Sequence, residues 1–66
     1  MTVKIVELIG TSPKSFEDAI SSAIKRASKT IRGISGVDVV GQTAVVKDGK
    51  VTEFRMNMKI AFSVED

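Results

Sequence analysis

The side chains able to do chemistry in this sequence are hydroxyls, carboxylates, lysines and arginines; histidine and cysteine are both absent. Without histidine the usual general base and the usual transition-metal ligand are missing. Without cysteine there is neither a disulfide framework nor a thiolate zinc site. The hydroxyls of Thr11, Ser12, Ser15, Ser21, Ser22, Ser28 and Thr30 therefore have no imidazole to activate them. A buried lysine could serve instead, but Lys4, Lys14, Lys25, Lys29, Lys47, Lys50 and Lys59 all fall on polar positions of the pattern and read as solvated charges. The expectation is that the chain is not an enzyme.

The acids Glu7, Glu17, Asp18, Asp38, Asp48, Glu53, Glu65 and Asp66 lack the spacing of a calcium loop. Symmetry in an oligomer could still gather copies of one acid into an oxygen site for a divalent cation, with no residue singled out for it. Gly10-Thr11-Ser12 entering a helix could hold an anion on backbone N–H groups. The rest of a phosphate loop is missing, so turn and cap chemistry explains that segment better. Lys25, Arg26, Lys29 and Arg32 could meet phosphate, yet cations at a helix C-terminus are already favoured by its dipole. The only aromatics, Phe16, Phe54 and Phe62, are in core phase, which leaves no stacking platform for nucleic acid.

Three strands and one helix position these groups. Residues 2–9 are rich in β-branched side chains and stop at Gly10, as a strand does. Ser12 suits a helix N-cap and Pro13 the first helical position. Phe16, Ala19, Ile20, Ala23, Ile24, Ala27 and Ile31 then recur at spacings of three and four, which predicts a helix over about 13–32 ending at Gly33. Residues 34–47 are again strand-like. Asp48-Gly49 is a strong hairpin signal, and 50–64 alternates cleanly, with Phe54, Met56, Met58, Ile60, Phe62 and Val64 on one face. The order is β-α-β-β in an α+β fold, a three-stranded antiparallel sheet wrapped around one helix, with one domain over 1–66.

A two-residue turn at Asp48-Gly49 predicts partners summing to 97. Val37 then faces Ile60, Val39 faces Met58, Gly41 faces Met56 and Val45 faces Thr52. On the other face Gly36 meets Ala61, Asp38 meets Lys59, Val40 meets Asn57 and Gln42 meets Arg55. That register puts both apolar sets on one face, though a bulge in so long a hairpin would shift part of it.

The chain has 66 residues, with 42% hydrophobic and 27% charged, so it is globular and its core is thin. A chain of this length buries only about 60% of its unfolded surface. With no disulfide to help, self-association is the expected source of the missing stability. The net charge of +2 permits anionic partners without demanding them. No apolar run is long enough to span a bilayer, and the N-terminal residues lack a signal-peptide block, so a cytoplasmic location is expected.

Val3-Lys4-Ile5-Val6-Glu7-Leu8-Ile9-Gly10-Thr11-Ser12, Phe16-Glu17-Asp18-Ala19-Ile20, Arg26-Ala27-Ser28-Lys29-Thr30-Ile31 and the closing strand to Ala61-Phe62 resemble the dodecin family over nearly the whole chain. The resemblance implies a hollow homododecamer that stores or sequesters a flavin (FMN or riboflavin) at its two-fold contacts. It places Gly36, Asp38, Gln42 and Arg55 on the flavin-site face, and Lys4, Arg26 and Arg32 near phosphates of a coenzyme A type. Gly36 stands where flavin-binding relatives carry a stacking tryptophan, and Arg55 where they carry a glutamine on the pyrimidine edge. Glutamine can donate and accept, whereas arginine only donates. Weakened or lost flavin binding is therefore expected, with an anionic metabolite or a calcium-type divalent cation as the substitute ligand; the alternative is a purely structural assembly with no small ligand.

Overall fold

The computed structural model describes residues 1–64, so Glu65 and Asp66 lie outside the described residues. Strand β1 (Thr2–Ser12) leads to helix α1 (Phe16–Ala27), followed by β2 (Ile34–Lys47) and β3 (Lys50–Val64). The sheet is antiparallel with order β1-β3-β2, so β3 is central. Strands β2 and β3 have the bounds read from the sequence, whereas β1 continues three residues further, to Ser12.

The helix is shorter than its apolar stripe. Ser12 pairs with Phe54 at the end of β1, which keeps Pro13 out of the helix. Ser15, in extended backbone, becomes the N-cap, its hydroxyl accepting from the Asp18 amide at 3.0 Å. At the other end the Ser28 hydroxyl donates to the Ile24 carbonyl at 2.7 Å. That back-bonding competes with the regular ladder, and a mixture of shorter bonds carries the chain through Lys29, Thr30 and Ile31. Gly33, at φ +74°, then reverses it, and its carbonyl accepts the Ser63 amide at 3.1 Å.

None of the seven residues of the stripe is exposed. The buried centre is Ala19 with Met56 and Met58, flanked by Leu8, Phe16, Ile20 and Ala23. Phe16 meets Phe54 edge to face at 5.0 Å between centroids. Gly10 lets the helix come close: a Cβ there would lie 2.5 Å from the Ala19 carbonyl oxygen and 2.8 Å from the Ala23 Cβ. The helix packs on β1 and β3, which leaves β2 uncovered; Val37 and Val39 remain about 40% exposed on the helix side (41% and 40%).

The turn at Asp48 and Gly49 has φ of 51° and 75°, the left-handed pair of a tight hairpin, and Lys47 faces Lys50 as expected. Three irregularities then displace the register. Pairing of Gly36 with Ala61, Val37 with Ile60, Asp38 with Lys59 and Val39 with Met58 is as the sequence implies. Between the bulges each partner moves by one: Gly41 faces Asn57, Gln42 faces Met56, Thr43 faces Arg55 and Val45 faces Glu53.

Candidate functional site

Opposite partners in an antiparallel pair share a face. The outer face, away from α1, therefore reads as rows across β1, β3 and β2. These are Ile5–Ala61–Gly36, Glu7–Lys59–Asp38, Ile9–Asn57–Gly41 and Thr11–Arg55–Thr43. Polar groups run down the central strand with apolar residues beside them. Ile5, Ile9 and Val40 are 62%, 57% and 56% exposed. Glu7, Leu8, Ile9, Val40 and Asn57 line a depression of ≈ 300 Å³ at the middle of this face, at the small end of ligand sites.

Gly36, Asp38 and Arg55 do lie on this one face, as expected. Gln42 does not. The bulge at Val40 turns it to the helix side opposite Met56, and Thr43 takes the place beside Arg55 that the uninterrupted register gave to Gln42. Val40 likewise has no partner across from it, and Gly41 sits opposite Asn57 in place of Met56. A glycine inside a strand is the sequence signal of a bulge, and Val40-Gly41 carried that signal.

Gly36 opens onto empty space, with no atom within 4 Å of where a Cβ would stand. It lies at the level of Ala61, six residues along β3 from Arg55, a separation of about 20 Å at the rise of a strand. One chain thus puts the two positions on a common face without bringing them together. Arg55 is engaged by a near neighbour: its Nε donates to Glu53 Oε2 at 2.7 Å along the same strand. Both side chains are substantially exposed, so the pair adds little stability. It occupies the Nε of the guanidinium and leaves the terminal nitrogens without a protein acceptor among the described residues.

The basic candidates form no joint site within one chain. Lys4 stands opposite Phe62 on the helix side of β1. Arg26 lines a groove with Leu8, Ala23, Ala27, Thr30 and Ile31, and Arg32 is exposed in the turn after the helix. Among the described residues no hydrogen bond or ion pair joins the three. All seven lysines are exposed. Gly10, Thr11 and Ser12 belong to β1 and do not form a phosphate-holding turn. The buried Ser12 hydroxyl donates to Asp18 Oδ2 at 2.6 Å and accepts from the Lys14 amide at 2.9 Å. Among the described residues no three acidic side chains gather into a cation site.

The geometry defines a class: a small sheet-on-helix domain with a long hairpin and an open outer face that holds a ligand-sized depression. A profile of the dodecin family matches residues 2–65. The dodecin of Thermus thermophilus is 33% identical over 63 residues, 96% of this chain and 91% of that one. The calcium dodecin of Mycobacterium tuberculosis is 36% identical over 62 residues, 92% of this chain and 86% of that one. The solved dodecin of Streptomyces coelicolor superposes with a TM-score of 0.95 at 31% identity, covering 98% of this chain and 93% of the other. The chain belongs to the dodecin family.

Proposed function

We propose that this chain is a single-domain subunit, residues 1–66, of a hollow homododecamer in the cytoplasm. The assembly binds or stores a small ligand, catalyses no reaction, and has weakened or lost flavin binding. The observation that carries the ligand reading is Gly36, which offers a flavin ring open space in place of a stacking surface. A stacked ring is worth about 1–3 kcal/mol, by analogy with base stacking, or roughly 5- to 150-fold in affinity. Arg55 adds to this: it is donor-only, and Glu53 holds one of its donors.

The shape of the chain supports assembly. It exposes 4938 Å², whereas a compact monomer of 7.1 kDa would expose about 4,100 Å². The excess is about 800 Å², what one partner gives up in a standard interface. The radius of gyration is 13.5 Å, against about 11 Å for a compact chain of 66 residues. A riboflavin titration of the assembled protein, followed by quenching of flavin fluorescence, tests the reading. Weak or absent quenching at micromolar protein is expected, and strong quenching there would overturn it.

Similarity to a calcium dodecin supports a second reading, a divalent cation held where copies of the chain meet, drawing on outer-face acids such as Glu7, Asp38 and Glu53. It predicts that a chelator lowers the melting temperature or dissociates the particle. An unchanged melt between pH 6 and pH 8, a range chosen for the trial, would remove it.

A further inference from the structure

The geometry points to the Thr11–Arg55–Thr43 row as the anchor for the carboxylate of a small apolar monoanion whose body lies over Asn57 and Gly41 towards Ile9 and Val40. The inference rests on the binding-shell reading above and names the chemical class of its ligand. Of the donors a guanidinium carries, Arg55 uses only Nε, towards Glu53. Its two terminal nitrogens have no protein acceptor among the described residues, and they present the parallel pair of N–H groups that matches two carboxylate oxygens. Thr11 and Thr43 stand directly across β1 and β2 from Arg55, both exposed, so the row carries a hydroxyl on each side of the central strand.

Charge selects the head group. Glu53 offsets part of the charge of Arg55, so a dianion such as phosphate meets that like charge more strongly than a monoanion does, and a monoanion still finds the free donors of the guanidinium. Shape selects the body. The next row, Ile9–Asn57–Gly41, is two residues away, about 7 Å along the strand. Gly41 leaves open space there, and Ile9 and Val40 supply exposed apolar surface at the rim of the central depression. A cationic head group on this row would meet the Arg55 guanidinium, and a flat fused ring system would find no aromatic to stack on.

The experiment is calorimetric titration of the assembled full-length protein with octanoate and, as the charge-reversed probe, octylammonium. Octanoate is expected to bind saturably and less tightly as salt rises, and octylammonium not at all. Arg55→Gln should weaken octanoate about 10- to 100-fold, the size of a lost charge-assisted pair. Thr43→Val, which keeps every charge, should weaken it by about 2- to 10-fold. Glu53→Gln should tighten it, and Lys47→Gln at the hairpin tip should change nothing. Octanoate that fails to saturate, octylammonium that binds equally well, or an Arg55→Gln protein with undiminished affinity would each overturn the proposal. Should Arg55→Gln not assemble, undiminished affinity in Thr43→Val overturns it. Flavin binding regained by the Gly36→Trp, Arg55→Gln pair while the unaltered protein ignores octanoate would remove the ligand class and leave the shell standing. A folded lone subunit in sedimentation would remove the shell itself.

Discussion

Two glycines mark the difference between the halves of this molecule. At Gly10 a Cβ would collide with the Ala19 carbonyl oxygen at 2.5 Å and the Met58 Cε at 3.0 Å, whereas at Gly36 it would meet nothing within 4 Å. Around Gly10 the chain is built to be filled: Met58 and Ile60 are fully buried and Met56 nearly so. Around Gly36 and Gly41 it is built to be left open, with exposed Ile5, Ile9 and Val40 on the same face. The same residue type therefore does opposite work. In one place it allows a helix to press on a strand; in the other it leaves an exposed surface without a side chain.

The closed half should break most easily. Gly10→Val puts two methyl groups and a Cβ into the helix backbone, which a rigid helix cannot yield to. Overpacking usually costs about 1–3 kcal/mol, and with backbone as the obstacle the loss should exceed about 3 kcal/mol. Met58→Ala removes the centre of the core from the other side and should cost about 2–5 kcal/mol. Thermal melts at fixed protein concentration read both, since the proposed assembly would make melting depend on concentration. A Gly10→Val protein that melts with the wild type would show that the contact between α1 and β1 is looser than described.

Next in size is the junction between the halves, where β1 becomes α1. Ser12 is buried and satisfied by Asp18 and the Lys14 amide, while Ser15 caps the helix through the Asp18 amide. Ser15→Ala should cost about 1 kcal/mol, the value of a lost cap. Ser12→Ala should cost about 1–3 kcal/mol, because it leaves a carboxylate oxygen and an amide of a partly buried network without their partner. If Ser12→Ala proved the milder of the two, the cap and not the buried hydroxyl would be what holds the junction.

The two halves were also unequally legible. The spacing of Phe16, Ala19, Ile20, Ala23, Ile24 and Ala27 located the helix, and alternation from Phe54 to Val64 located the central strand, because burial on one face imposes a period. The cap was misplaced from Ser15 to Ser12, since two serines three residues apart both suit that role and only the reach of β1 decides between them. The outer face was read through a continuous ladder, and one inserted residue at Val40 exchanged Gln42 for Thr43 beside Arg55. A bulge is a local backbone event that hydrophobic period records weakly, because Gln42 and Thr43 are both tolerated on either side of an uncovered strand. The family resemblance supplied the face but not its geometry, for Gly36 and Arg55 stand far apart on one chain.

The open half should respond to substitution in function and hardly at all in stability. Gly36→Trp meets no atom at its Cβ, needs no left-handed backbone, and replaces glycine with a residue that strands favour. The melting temperature should stay close to the wild type's, in keeping with surface changes of about 0.5 kcal/mol or less. The added indole should raise affinity for riboflavin by roughly 5- to 150-fold, the reverse of the stacking loss, read as fluorescence quenching on the assembled protein. The outcome that would break the contrast between the glycines is a destabilised or dissociated Gly36→Trp protein. The space above Gly36 would then be filled by a neighbouring subunit in the particle, and the glycine would serve close contact there just as Gly10 serves it within the chain.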